Sequence, residues 1–163
     1  MTGATRQGPQ PMAITLRRAE PADVPGIEAL VAAAYGHYVA RIGRKPGPMA
    51  DDYAARVAAG EASLALDLAG AIVGLLVLQM RDGAAPLLDN VAVAPRAQGQ
   101  GVGRALIAHA EAAARRRGAA SLRLYTHEMM TENIALYRRL GFVEIARVEE
   151  KGFRRVYMEK ALA

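Results

Sequence analysis

The sequence predicts an α+β fold in which helices are interspersed through one mixed sheet. Short apolar runs of strand length recur seven times along the 163 residues. Stretches with helical spacing separate those runs instead of gathering at one end of the chain. One strand passes through a glycine-rich loop directly into a helix. The expected order is β-α-α-β-β-β-α-β-α-β-β, with about seven strands and four helices. A chain of this length can bury a real core.

Residues 14–18 alternate apolar and polar side chains and read as a half-buried strand. Asp23 is placed to cap a helix, with Pro25 in its first turn. Val24, Ile27, Leu30, Val31 and Ala34 follow at helical spacing, so that helix is expected to reach about Val39. Residues 43–48, with two prolines around a glycine, read as a loop. A second short helix is expected over 49–59, stopped by Gly60. Residues 63–68 and 71–80 form a hairpin around Ala69-Gly70, and 87–93 form the next strand, ended by Pro95. A helix is expected over 101–117, with Val102, Leu106, Ile107 and Ala110 on its apolar side and Gly118 as its stop. Residues 121–126 read as a strand. Thr131 is expected to cap a helix over 131–140, stopped by Gly141, with Phe142 in contact behind it. Strands over 143–148 and 155–160 close the chain around Gly152.

Composition narrows the chemistry. The hydrophobic share of 52% and charged share of 23% describe a globular protein. With no cysteine, disulfides, thiolate nucleophiles and cysteine zinc sites are excluded, and a reducing, cytoplasmic setting is expected. Three histidines without a spacing motif predict no metal site. The net charge of +5 is compatible with nucleic acid, an acidic membrane or a polyanionic small ligand. No helix-turn-helix or aromatic-basic signature supports nucleic acid. No apolar run approaches the ~20 residues of a membrane helix. Residues 1–12, polar with glycine and proline, are expected to be a disordered leader, and 13–163 a single domain.

The informative segment is Val91-Ala-Val-Ala-Pro-Arg-Ala-Gln-Gly-Gln-Gly-Val-Gly-Arg104. A strand, a glycine-rich loop and a helix start aim several backbone N–H groups, with the positive helix end behind them, at one place. Glycines let a ligand approach the backbone and permit positive φ. The physical inference is a phosphate cradle. Gly99, Gly101 and Gly103 do not complete a dinucleotide fingerprint, because its third glycine would fall on Arg104. No nucleotide P-loop run exists either.

Gln98-x-x-Gly101-x-Gly103 resembles the Q/R-x-x-G-x-G/A signature of the GCN5-related N-acetyltransferases, the GNAT family. The flanking Asn90-Val-Ala-Val-Ala-Pro95 and Arg104-Ala-Leu-Ile107 are similar to that family, as is Asn133-Ile-Ala-Leu-Tyr137-Arg-Arg-Leu-Gly141-Phe142. Tyr35-x-x-Tyr38, the run from Arg41 to Met49 and Asp52-Tyr53 resemble a subgroup of small bacterial acetyltransferases that carries no substrate assignment. The resemblance covers roughly residues 14–160. It implies the GNAT-like fold, a central mixed but mostly antiparallel twisted sheet, and an acetyl-CoA-dependent N-acetyltransferase acting on the primary amine of a small molecule. The implied reaction is direct transfer in a ternary complex, with acetyl-CoA as co-substrate and no metal.

Carried onto this chain, the resemblance assigns coenzyme A to the backbone of Gln98, Gly99, Gln100, Gly101, Val102, Gly103 and Arg104. Val91, Ala92 and Val93 would hold the pantetheine arm, with Val91 N–H at the thioester carbonyl. Asn133 and Tyr137, four apart on one helix face, would contact the arm and protonate the departing thiolate. Spacing alone equally allows Tyr137 to pack beside Leu140. Asp89 and Glu128 are candidate general bases, with His127 or a water chain as alternatives. The acceptor amine would meet Tyr35, Tyr38, Arg44, Met49, Tyr53 and Asn90, facing Arg155 or Arg154, with His37 beside them. A catalytically silent acyl-CoA-binding regulatory module is the alternative reading, and a nucleic-acid-binding domain a more distant one. A homodimer is expected by analogy.

Overall fold

A computed structural model of the chain describes residues 11–162. Most of the expected leader, residues 1–10, lies outside the described residues. At position 12, the Met12 N–H donates to Gln100 O at 2.9 Å, next to the glycine loop.

Seven strands form one sheet: β1 (Thr15–Arg18), β2 (Ala62–Leu66), β3 (Ile72–Gln79), β4 (Leu87–Val93), β5 (Ser121–His127), β6 (Val143–Glu150) and β7 (Phe153–Ala161). Five α-helices join them: α1 (Val24–Tyr35), α2 (Tyr38–Ile42), α3 (Tyr53–Ala58), α4 (Val102–Arg116) and α5 (Thr131–Arg139). The strand order is β1-β2-β3-β4-β5-β7-β6, and only β4 and β5 run parallel. The mixed, mostly antiparallel sheet of the α+β class is therefore as expected. No helix among the described residues is long and apolar enough to cross a membrane.

The first helical region differs from expectation. The periodic stretch ends at Tyr35 and resumes as α2, so one expected helix is two. Gly36 and His37 separate them, and glycine is a poor helix former. The second helix begins at Tyr53, four residues later than expected. Residues Gly47–Ala50, with Pro48 near their start, turn as a short 3-10 segment instead. Asp52 then caps α3, its Oδ1 accepting from Ala55 N–H at 3.1 Å. At α5 the cap is Met130, not Thr131, whose side chain makes no capping bond. The turn after β5 closes on Met130 itself, whose carbonyl accepts from Asn133 and Ile134 N–H. The last hairpin is longer than expected because Lys151 and Gly152, both at positive φ, connect its strands in two residues.

The sheet centre is dense. Every residue of β3 from Val73 to Val77 is buried, so both faces of that strand are covered. Packing of α4 on β3 depends on Gly74, where a Cβ would lie 2.9 Å from both Leu106 Cδ1 and Val102 Cγ1. Leu106, Ile107, Ala110 and Ala114 are the buried stripe of α4 that the apolar spacing predicts.

Two irregularities position the site. The β4–β5 pairing holds only at Leu87 with Arg123 and Leu88 with Leu124, and no pairing follows it. The β3–β4 register shifts at the same level: Leu78 faces Leu88, Val77 faces Asn90, and Asp89 has no partner. An extra residue of this kind bends and twists its strand.

Candidate active site

The unpaired part of β4 presents main-chain groups to the gap beside β5. Within a strand, one residue's N–H and C=O point to the same edge. Val91 O accepts the Tyr35 hydroxyl at 3.0 Å, and Val93 O accepts Gln98 Nε2 at 3.3 Å. Neither carbonyl is used by β3. Ala94 N–H, by contrast, donates to Val73 O of β3. Val91 and Val93 therefore turn their N–H groups toward the gap, where a ligand can meet them.

The glycine loop closes one end of this gap. Gly101 caps α4 at φ 84°, in the left-handed region where a side chain is strained, and Gly99 is at φ 75°. The N–H groups of Val102, Gly103 and Arg104 open the helix without intrahelical partners. A groove of about 680 Å³ runs from this loop past Val91, Ala92 and Val93 to Asn133 and Tyr137. Gln98, Gly99, Gly101, Val102, Gly103 and Arg104 line it. Gln100 does not: its amide donates to Arg96 O at 3.0 Å, and its carbonyl accepts from Met12. Arg104 and Arg139 line the groove and form no ion pair among the described residues. Helix-start N–H groups and two guanidiniums free of ion pairs among the described residues give the groove the capacity to hold a polyanion.

A second, smaller cavity of about 40 Å³ adjoins the groove and shares Tyr35, Val91, Asn133 and Tyr137 with it. Tyr137 is 6% exposed, and its hydroxyl makes no hydrogen bond among the described residues. Burial pushes that phenol well above its ordinary pKa, with Tyr38 adding to the shift, so it stays protonated. Asn133 lies one turn earlier on α5, its amide against Met130 Sδ at 3.7 Å.

The floor of the small cavity is a phenol–amide network. Tyr35 shares its one hydroxyl proton between Asn90 Oδ1 at 2.7 Å and Val91 O at 3.0 Å, and Asn90 Nδ2 donates to the Tyr53 hydroxyl at 3.1 Å. Asn90 is buried, with both its amide oxygen and its amide nitrogen hydrogen-bonded. Asp89, at the bulge, accepts the Tyr125 hydroxyl at 2.7 Å and Arg56 Nη2 at 3.2 Å. Arg155 lines the cavity opposite, its guanidinium 4.4 Å from the Tyr125 ring centroid and paired to Glu150 at 3.1 Å.

The structure sorts the other expected residues. Glu128 pairs with Arg154 at 3.3 Å and Arg147 at 3.8 Å and does not line the cavity. His127 does line it, but its Nδ1 accepts from Met129 N–H at 3.0 Å. Burial lowers its pKa, so the ring is neutral at pH 7 and its proton sits on Nε2, which donates and does not accept. Tyr38 faces the groove, not the acceptor side, and donates to Glu132 at 3.2 Å; burial, then Glu132, pushes it up to about 12. His37 lies on the groove as well. Met49 and Tyr53 line a separate surface hollow, with only the Tyr53 hydroxyl reaching the Asn90 network. Arg44 stacks on Phe153, 4.1 Å from its centroid, at the outer hairpin.

Sequence reading does not single out Tyr125, Arg56 or Phe153, although the first and last line the cavity and the second holds Asp89. The alternation of β5 carries a signal for Tyr125, two residues before His127. Arg56 stands as the one charge in Tyr53-Ala-Ala-Arg-Val-Ala-Ala59, a signal visible only in hindsight of its fold. No group of three or more metal-ligating side chains occurs among the described residues.

Comparison with known proteins is consistent with this geometry. No curated protein matches the chain. Among solved structures, a nourseothricin acetyltransferase is 23% identical with a TM-score of 0.73, over 93% of this chain and 100% of that one. The ribosomal-protein-S18-alanine N-acetyltransferase from Escherichia coli is 23% identical with a TM-score of 0.72, over 93% and 95%. The PaiA N-acetyltransferase from Thermoplasma acidophilum in complex with coenzyme A is 16% identical with a TM-score of 0.75, over 92% and 99%. These likenesses establish the fold. A family model described as acetyltransferase (GNAT) domain matches residues 58–144, more than half of the chain. The chain belongs to the GNAT family and is an N-acetyltransferase.

Proposed function

We propose that this enzyme moves the acetyl group of acetyl-CoA to the primary amine of a small molecule, by direct transfer within a ternary complex. The observation that carries the reading is the meeting of two cavities at Tyr35, Val91, Asn133 and Tyr137. A cofactor arm in the groove and an amine in the smaller cavity would approach the same four residues. The narrowness of the second cavity favours a small acceptor over a protein surface.

The groove residues fit coenzyme A. Glycines at positive φ leave room for phosphates at the α4 N-terminus, and Arg104 and Arg139 supply cations for them. Bound acetyl-CoA supplies the activated acyl group. The Val93 N–H pairs with an amide of the arm, and the Val91 N–H donates to the thioester carbonyl oxygen as negative charge grows there. Asp89 orients the amine and accepts its proton; each carboxylate oxygen keeps a lone pair beyond its bond to Tyr125 or Arg56. Tyr137, held protonated by burial, gives its proton to the sulfur. The N–C bond forms and the C–S bond breaks. Of the two protons the ammonium loses overall, one ends on the thiol and one in solvent.

The reading treats residues 13–163 as one domain, supported by the single seven-stranded sheet. It places the enzyme in the cytoplasm, supported by the absence of cysteine. It includes a homodimer, supported by exposed Val143, Ile145 and Val148 on edge strand β6. Initial-rate kinetics of thiol release test the mechanism. Double-reciprocal lines that intersect as amine and acetyl-CoA are varied support the ternary complex, and parallel lines refute it.

A further inference from the structure

The acceptor cavity carries opposite charges on one rigid ring, the anion at its hydroxyl and the cation over its face. At one end, the Tyr125 hydroxyl donates to Asp89 at 2.7 Å. Over the face of the same ring lies the Arg155 guanidinium, 4.4 Å from its centroid. Asp89, Tyr125 and Arg155 all line the cavity. The phenol ring thus fixes the spacing between an anion and a cation.

Both groups keep bonding capacity beyond their protein partners, although Arg155 is paired one-to-one with Glu150. Asp89 shares the Arg56 guanidinium, at 3.2 Å, with Asp51 at 2.9 Å and Glu61 at 3.0 Å. Three carboxylates on one cation leave excess negative charge at the bulge. Glu150 engages only Nη1 of Arg155. Nη2 lies beside Gly47, 3.9 Å from where a Cβ would stand, next to Pro46 and Pro48 of the cavity wall. The Arg155 side chain is 14% exposed, so water screens its charge weakly. A guanidinium has five donors in a fixed fork suited to a carboxylate. A third, independent feature marks the reacting end: Tyr137, more than nine-tenths buried, brings an unpartnered hydroxyl to the same cavity.

We propose that the acceptor is a small zwitterion, a primary amine bearing a carboxylate a short chain away, of amino-acid size. Its ammonium sits at Asp89 and its carboxylate at Arg155. This assignment rests on the transferase reading above and adds the acceptor class to it. The transfer forms the N–C bond and breaks the C–S bond, releasing CoA thiol, one proton and an N-acetylated carboxylate. Acetylation erases the charge that Asp89 holds, which leaves an anion facing a carboxylate and promotes product release.

Matched pairs of amines provide the test: α-, β- and γ-amino acids, each beside its own carboxamide. In the wild type, the best acid is expected to exceed its carboxamide in kcat/KM by about 10- to 100-fold, the range of a hydrogen bond to a charged group. Calorimetric titration of that acid into enzyme saturated with free CoA should show binding that the carboxamide lacks. Arg155→Met should lower the ratio of kcat/KM for the acid to that for its carboxamide by about 10- to 100-fold. Arg155→Lys should retain part of the preference. The proposal is overturned if carboxamides serve as well as acids, if Arg155→Met leaves the ratio unchanged, or if no carboxylate-bearing amine is bound or acetylated. An enzyme that binds acetyl-CoA and acetylates only amines without a carboxylate refutes this assignment alone. One that does not bind acetyl-CoA refutes the transferase reading itself.

Discussion

Replacing Tyr137 by phenylalanine removes one oxygen atom from the place where the two cavities meet. The hydroxyl has no protein partner, so its loss leaves no donor or acceptor orphaned. The ring keeps its edge contact with Phe142, whose centroid lies 6.1 Å away. The stability change should therefore stay within about 0.5 kcal/mol, as for substitutions that touch no buried network. Catalysis should respond very differently. A positioned general acid contributes about 10²- to 10⁴-fold, and burial keeps this phenol protonated through the working pH range. A fall in kcat of about 100-fold, near 2.7 kcal/mol of barrier, is expected, with the dissociation constant of acetyl-CoA unchanged. Thiol-release kinetics, calorimetry and a thermal melt on one preparation read all three quantities. A kcat within about threefold of wild type would refute the assigned role. So would a loss of activity that tracks a fall in melting temperature.

Asn90→Leu should destabilise the fold by about 2–3 kcal/mol in urea denaturation, because both Tyr35 and Tyr53 lose a buried partner; a loss below about 1 kcal/mol contradicts the network. Gly74→Val should cost about 1–3 kcal/mol, since its Cβ would overlap Leu106 and Val102, and an unshifted denaturation midpoint would contradict the α4–β3 packing. His127 supplies a pH signature. Burial lowers its folded pKa below the unfolded value of about 6.5, so between the two the unfolded chain binds more protons. Native stability then rises with pH through that window and falls as pH drops below about 6.5. His127→Gln should flatten the dependence of the denaturation midpoint on pH there, and an unaltered slope would contradict it.

Legibility in the sequence followed the range of the interactions involved. The span of β4 was readable to the residue, because Pro95 and the flanking turn bound it locally. The glycine cradle and the buried stripe of α4 were readable for the same reason. The bulge at Asp89 was not, because it exists only in the pairing of β4 with β3, where Leu78 and Val77 skip a residue. That bulge decides which neighbours Asp89 meets. Tyr38 and Met49 matched an acceptor-site pattern along the chain, yet Tyr38 lines the groove and Met49, in the 3-10 turn at Gly47–Ala50, a separate hollow, placements that only tertiary packing decides. Thr131 had the chemistry of a cap, but the backbone turn from His127 to Met130 takes that position. Arg56 reached the site from α3 across 33 residues of sequence, a distance over which no local pattern carries information.

Calorimetric titration with acetyl-CoA tests the central claim most directly, with free CoA as the control and Gly101→Trp as the variant. Gly101 sits at φ 84° at the start of α4, so a tryptophan there both strains the loop and fills the cradle. The account predicts micromolar binding by the wild type and its loss in the variant, with the circular dichroism of the variant preserved. A folded wild type that shows no heat with acetyl-CoA would contradict the assignment of the groove.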